Sequence, residues 1–262
     1  MAGSLSDFAE LELLDHVLKV GEYTPPTHIY VALSTADPGE SGAGISEPGV
    51  GGYARVQHDS WDAATGRATE NTGTVTFPEA TANWGTITHF ALFDDPNAGN
   101  MLAYGELVAS KTINTGDNAS FADGAINASF SAGGISDYLA NKLLDHLFKV
   151  GAYDVPANIY VALCTAAISD SDTGTTITEP ASNYARKQFN TWNTAAAGAT
   201  SNNGAITFVQ ATDSWGTITH FCLVDASTAG NLLLYAEAET PKAVGNGDTV
   251  EFADTALAIT LT

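Results

Sequence analysis

Six histidines are the first residues that could do chemistry. His16 and His146 recur at matching places, as do His89 and His220, whereas His28 and His58 do not. None sits in an HxH or HExxH arrangement, or with carboxylates at the spacing of a zinc or iron site, so no metal is assigned to them. In Ile87-Thr88-His89-Phe90-Ala91 a period of two puts His89 on one inward face with Ile87 and Ala91, and His220 occupies the same setting. Both are expected to bond a backbone or hydroxyl partner. Nucleophilic catalysis would need an elbow such as GxSxG, which the sequence lacks. Cys164 and Cys222 stand where the first half has Ser34 and Ala91. They read as small core fillers, and a duplicated Cys–His site is excluded. Glu106/Glu237 and Asp94/Asp225 also repeat, but single acids at strand and turn positions are ordinarily solvated or capping groups. Gly85-Thr86 and Gly116-Asp117 read as turns, because no phosphate-loop pattern surrounds them. No catalytic residue, cofactor or metal is therefore expected.

The basic residues and tryptophans carry more. Arg55/Arg186, Lys19/Lys149 and Lys111/Lys242 account for six of the nine Lys and Arg. Cations that keep their places in so acidic a chain are expected to have fixed acidic partners. Arg55 and Arg186 are expected to make charged hydrogen bonds within their own halves and to order the neighbouring strands. Trp61/Trp192 and Trp84/Trp215 are expected to be core plugs; the other use of such residues is as platforms for stacking sugars.

Composition narrows the class. Thirty acids against nine bases give a net charge of −21, which repels phosphate backbones and anionic headgroups. Nucleic acid and membrane are accordingly not expected partners. A hydrophobic fraction of 44% supports a real core. The start, Met-Ala-Gly-Ser-Leu-Ser-Asp, has no basic region followed by an apolar stretch, so the chain is expected to be made in a cytoplasm.

The elements that must position these residues come in two copies. Ile29-Tyr30-Val31-Ala32-Leu33 returns as Ile159-Tyr160-Val161-Ala162-Leu163, and Trp84 to Phe90 returns unchanged as Trp215 to Phe221. Tyr53-Ala54-Arg55 returns as Tyr184-Ala185-Arg186, each followed by a Trp. The matches run from end to end, so two domains are expected, 1–131 and 132–262, joined near Ser131-Ala132-Gly133-Gly134 and lying side by side. Each opens with an amphipathic helix capped by Ser6 or Ser136 and stopped by Gly21 or Gly151. Asp15–Lys19 and Asp145–Lys149 are spaced to pair along its surface. After the helix the period drops to two. About six strands follow, near 29–33, 53–61, 72–78, 85–94, 101–109 and 119–130. The expected fold is mainly β: two tandem antiparallel β-sandwich-like domains, each with an N-terminal helix. The loop at 37–52, against 167–183, is the most divergent stretch and is expected to matter for function more than for folding.

The runs "IYVALSTADP", "EPGVGGYARV", "NTGTVTFPEATANWGTITHFALFD", "GNMLAYGEL" and "KTINTGDNASFADGAI" resemble a family of small tailed-bacteriophage virion proteins, often labelled phage tail fibre proteins. Both halves match from end to end; the tandem fusion is the departure, together with Val209 in place of Pro78. The resemblance implies a non-enzymatic structural component of the virion, assembled in the bacterial host cytoplasm. It would be an exterior decoration or a tail-associated adaptor, with major capsid or tail proteins as partners. A duplicated domain also has a geometric consequence: a homo-trimer would present six similar units, a pseudo-six-fold match to a capsid hexamer or tail ring. The alternative reading is a receptor- or carbohydrate-binding module of the adsorption apparatus.

Overall fold

Each half is built on a capped helix followed by strands. The computed structural model describes residues 2–261. In the first half β1 (Ala2–Leu5) precedes α1 (Asp7–Val17), and β2 (Tyr30–Ser34), β3 (Val56–Gln57), β4 (Ala68–Glu70), β5 (Val75–Glu79), β6 (Gly85–Phe93), β7 (Met101–Ile113), β8 (Asn118–Phe121) and β9 (Asn127–Ser129) follow. The second half holds α2 (Asp137–Leu147), β10 (Tyr160–Cys164), β11 (Lys187–Gln188), β12 (Ala199–Ser201), β13 (Ile206–Thr207), β14 (Gly216–Val224), β15 (Leu232–Val244), β16 (Glu251–Phe252) and β17 (Ala258–Thr260). The mainly β class with one helix near the start of each half is as expected.

Ser6 and Ser136 accept from the amides of Ala9 and Leu139, and each cap is worth about 1 kcal/mol. The helices do not end on glycine. Lys19 and Lys149, two residues before Gly21 and Gly151, adopt the left-handed conformation at φ 64°. The ammonium groups of both lysines bond across the molecule, as described below.

The common unit is a four-stranded antiparallel ladder, β3-β2-β6-β7 in one half and β11-β10-β14-β15 in the other. A hairpin-like pair, β5–β8 or β13–β16, is closed onto the ladder by aromatic contacts such as Phe90 with Phe121 and Phe221 with Phe252. A further pair, β4–β9 or β12–β17, completes the unit. The strands from 101 and 232 run on to Ile113 and Val244, and the expected strand at 119–130 is broken into two.

One difference separates the halves. In the first, β1 lies between β7, antiparallel, and β9, parallel, and fuses the ladder and the β4–β9 pair into a seven-stranded sheet. The sheet is therefore not wholly antiparallel as expected. Gly3 makes this approach possible, since a Cβ there would fall 2.7 Å from the carbonyl oxygens of Asn127 and Tyr104. In the second half only Ile135, bridged to Leu234, keeps the corresponding pairing, and β12–β17 stands as a separate two-stranded sheet.

A single apolar core runs through both halves. It includes Leu13, Leu14 and Val17 of α1, Leu139, Leu143 and Leu147 of α2, and Phe77, Phe90 and Phe208 from the strands. Smaller clusters occupy the opposite ladder face, Ala32, Ala91, Phe93 and Met101 in one half and Ala162, Cys164, Cys222, Val224 and Leu232 in the other. The free thiols of Cys164 and Cys222 lie 4.0 Å apart there, buried.

Candidate interaction sites

Arg55 faces Glu47, from the divergent loop. Its Nε lies 3.1 Å from Oε1 and its Nη2 2.7 Å from Oε2, while Nη1 donates to the carbonyls of Asp95 and Ala98 at 2.9 and 2.7 Å. The guanidinium carbon sits 3.6 Å above the Phe93 ring centre. Arg186 repeats the set, with Glu179 at 3.0 and 2.8 Å and the carbonyls of Ala226 and Ala229 at 2.9 and 2.7 Å. Glu179 holds the guanidinium in its charged form, shifting its pKa upward against the opposing cost of burial. A planar fork meeting a carboxylate edge on, with the remaining donors on carbonyls, fixes the loop to the β6–β7 and β14–β15 turns. The divergent loop therefore has a folding role: it supplies Glu47 or Glu179 and seats Ile45 or Ile177 on the outer cluster.

All four tryptophans are buried, with at most 6% of their surface exposed. Trp84 Nε1 donates to the Gly51 carbonyl at 3.1 Å, and Trp215 Nε1 to Asn183 Oδ1 at 3.2 Å. Trp61 bonds the His58 carbonyl at 3.1 Å and lies 4.5 Å from Phe148 of the other half. Trp192 meets Phe189 edge on at 5.3 Å. None offers a free ring face for a sugar.

His89 and His220 are half-buried, with Nδ1 at 2.8 and 2.9 Å from the hydroxyls of Thr88 and Thr219. The expected shared face does not hold. A register shift between Ile87 and His89 breaks the alternation, so Ile87 enters the main core while Ala91 enters the outer cluster. Among the described residues no group of three or more His, Cys, Asp and Glu is placed to hold a metal ion.

The residues that join the halves form a reciprocal seam. The His16 and His146 rings stack with centroids 4.7 Å apart and planes 7° from parallel. His16 Nε2 faces the Tyr153 carbonyl and His146 Nε2 the Tyr23 carbonyl, both at 3.1 Å. The Tyr23 and Tyr153 amides donate to Nδ1 of His16 and His146, each at 3.2 Å. Asp15 accepts from the Ala195 amide at 2.6 Å, and Asp145 from the Ala64 amide at 2.7 Å. Lys19 donates to the Ala157 carbonyl and Lys149 to the Thr27 carbonyl. The expected Asp15–Lys19 and Asp145–Lys149 pairs are thus replaced by bonds across the seam to backbone groups of the other half.

Arg67 adds an unreciprocated tie. It stands at φ 69° in a tight turn where the second half has Gly198. Its guanidinium donates to the carbonyls of Ile135, at 2.8 Å, and of Ser131, and lies 3.2 Å from Asp170. Sequence reading passed over it for lack of a counterpart; an arginine where the repeat has glycine was the available signal.

Each half also has a groove between its long strand and the β5–β8 or β13–β16 pair. The first, about 540 Å³, is lined by Ile87, Leu107, Val108, Lys111 and Phe121, with Val108 86% exposed at the rim. In the second, about 400 Å³, Glu239 replaces Val108 and Glu251 replaces Ser120.

Two β-rich units joined by reciprocal contacts, with their tryptophans buried, make up a tandem module. The chain belongs to the Podophage GP4 fiber I protein gp80 family, which it matches twice, over residues 4–129 and again over 134–260. It is thus a phage fibre-family protein and a virion component. Comparison with curated proteins gave no match.

Proposed function

We propose that this chain is a non-enzymatic, tail-associated fibre or adaptor protein that works by protein–protein assembly, with two domains meeting at residues 131 and 132. The observation that carries this reading is the seam. Paired contacts from His16, Asp15 and Lys19 with His146, Asp145 and Lys149 hold two fibre-family units in one fixed relation. A rigid double unit suits repeated contact with a symmetric virion partner better than turnover of a substrate. A homo-trimer of such chains, presenting six similar units, is part of the same proposal. The carbohydrate-binding alternative loses its platforms, since the tryptophans are buried.

Quantitative mass spectrometry of purified virions, with immunogold labelling, tests the reading. Labelling at the tail with a copy number in multiples of three is expected. Hundreds of copies spread over the head would overturn it.

A further inference from the structure

The two halves differ most sharply beside β1, and the difference is a cavity. In the first half Ala2 and Gly3 of β1 pair with Asn127 and Ala128 of β9, and Ser4 and Leu5 with Tyr104 and Ala103 of β7. Gly3 packs against Phe90, Tyr104 and Asn127, and a Cβ on Gly105 would lie 3.0 Å from the Gly3 Cα. The counterparts of those wall residues in the second half are Phe221, Tyr235, Ala236, Ala258 and Ile259. They line a cavity of about 280 Å³ between β15 and β17. It is the seat of Ala2-Gly3, repeated without a strand in it.

The segment that would fill it in cis is held elsewhere. Residues 132 and 133 correspond to Ala2 and Gly3, but they belong to the connector between the halves. Arg67 binds the carbonyls on either side, Ser131 and Ile135, and the Gly133 amide donates to Asp170 at 3.2 Å. From Gly134 onward the pairing with β15 is kept: the Gly134 carbonyl accepts from Tyr235 at 2.8 Å and the Ser136 amide donates to Leu233 at 3.0 Å. In consequence, among the described residues, β17 pairs with β12 on one side and with no strand on the other. Ala258 and Thr260 are exposed, whereas Asn127 and Ser129 of β9 are half-buried.

We propose that this slot receives an extended segment of another virion polypeptide, added as a strand along β17. The occupied slot of the first half specifies the occupant's chemistry. It is a short run of small residues with glycine at its centre, since neighbouring backbone closes over Gly3. Ala236, in place of Gly105, adds a methyl group to the slot wall and makes that requirement stricter. Glu237 lines the slot and the net charge is −21, so basic flanks complement the rim. A second copy of this chain is a poorer occupant, because its β1 already fills an equivalent seat in cis and exchange gains no contact. Strand addition draws affinity from main-chain hydrogen bonds and specificity from the residue under closest approach. The proposal rests on the reading of the chain as an assembly protein.

The test uses the full chain and a fluorescein-labelled peptide carrying Ala-Gly, the part of β1 whose counterpart seat is open, between lysines. Saturable one-to-one binding is expected, weakened at least tenfold when the peptide glycine becomes valine and by Ala236→Leu in a protein of unchanged melting temperature. A photoreactive group on the peptide should label β15 or β17. Equal binding of the glycine and valine peptides overturns the proposal by reducing it to charge attraction. No saturation up to about 1 mM overturns it as well. So does slow amide exchange along β17 in the free chain, which places residues 132–133 in the slot, or concentration-dependent self-association that removes β1 from the first half. Failure here leaves the fibre reading standing, because that reading turns on location and copy number in the virion. Head labelling would sink that reading and leave the slot intact.

Discussion

His16 and His146 lie face to face at 4.7 Å, each ring bonded through Nδ1 to the amide of one seam tyrosine and through Nε2 to the carbonyl of the other. An amide donating to Nδ1 and a carbonyl facing Nε2 fix the neutral tautomer with its proton on Nε2. A second proton would turn Nδ1 into a donor aimed at an N–H group. Burial pushes the His146 pKa below 6.5, and the neighbouring His16 adds to the shift, against the opposing pull of its bond to Tyr23. Asp154 and Glu22 pull weakly in that opposing direction too. A base with a depressed folded pKa contributes stability above its unfolded pKa and loses it as pH falls through the folded value. In a Glu10→Gln background, which removes the opposing titration described next, urea midpoints should therefore drop as pH falls below about 6.5. His146→Asn, which keeps an acceptor near Nδ1, should flatten that slope while lowering stability at pH 8. An unchanged slope in the variant would show that the seam does not sense pH.

Glu10 should act in the opposite sense. Burial first, then Glu40 and Asp7, raises its pKa from 4.5 to about 7. An acid raised in the folded state favours folding below its unfolded pKa, and that contribution is lost as pH climbs through about 7. Glu10→Gln should stabilise the chain at pH 8 by on the order of 2 kcal/mol, with the gain fading toward pH 4. The counterpart residue, Ala140, shows that the fold needs no carboxylate there. Calorimetry at the two pH values reads the difference.

Arg55 and Arg186 should resist replacement by lysine. A lysine keeps the charge but cannot meet Glu47 or Glu179 with two nitrogens while donating to two carbonyls. Arg55→Lys and Arg186→Lys should each cost about 2 kcal/mol. A double-mutant cycle of Arg55→Lys with Glu47→Gln should return a coupling of about 1 kcal/mol or more. Strict additivity would show that the pair does not order the loop.

Arg67→Gly keeps a residue suited to the positive φ of the turn but releases the connector. Amide exchange over residues 131–135 should accelerate by about tenfold or more, with a global loss of about 1–3 kcal/mol. Unchanged exchange there would assign the connector's order to the helix cap at Ser136 alone.

Much of one unit was readable from residue types. Ser6 and Ser136 announce their helices because a side-chain oxygen at that place satisfies an amide within four residues. The Ile29–Leu33 and Ile159–Leu163 runs announce strands by their period. The inward face expected of His89 does not form, since the register shift between Ile87 and His89 depends on pairing with β7 and leaves no periodic trace. Lys19 was misplaced for a similar reason. Its partner, the Ala157 carbonyl, is 138 residues away.

The sequence by itself determined the duplication, the helix starts, the mainly β class, the burial of the tryptophans and the likeness to a phage fibre family. All of these rest on local periodicity, or on identity between two stretches of the same chain. Only the tertiary structure decided what the two copies do to each other. The stacked histidines, the crossed Asp15 and Asp145 bonds and the diversion of residues 131–135 by Arg67 all join positions far apart in sequence. Their hydrogen bonds form only once the core has brought the two helices together, so no spacing along the chain encodes them. The open seat beside β17 is the sharpest case, because nearly the same wall residues enclose a strand in one half and a cavity in the other.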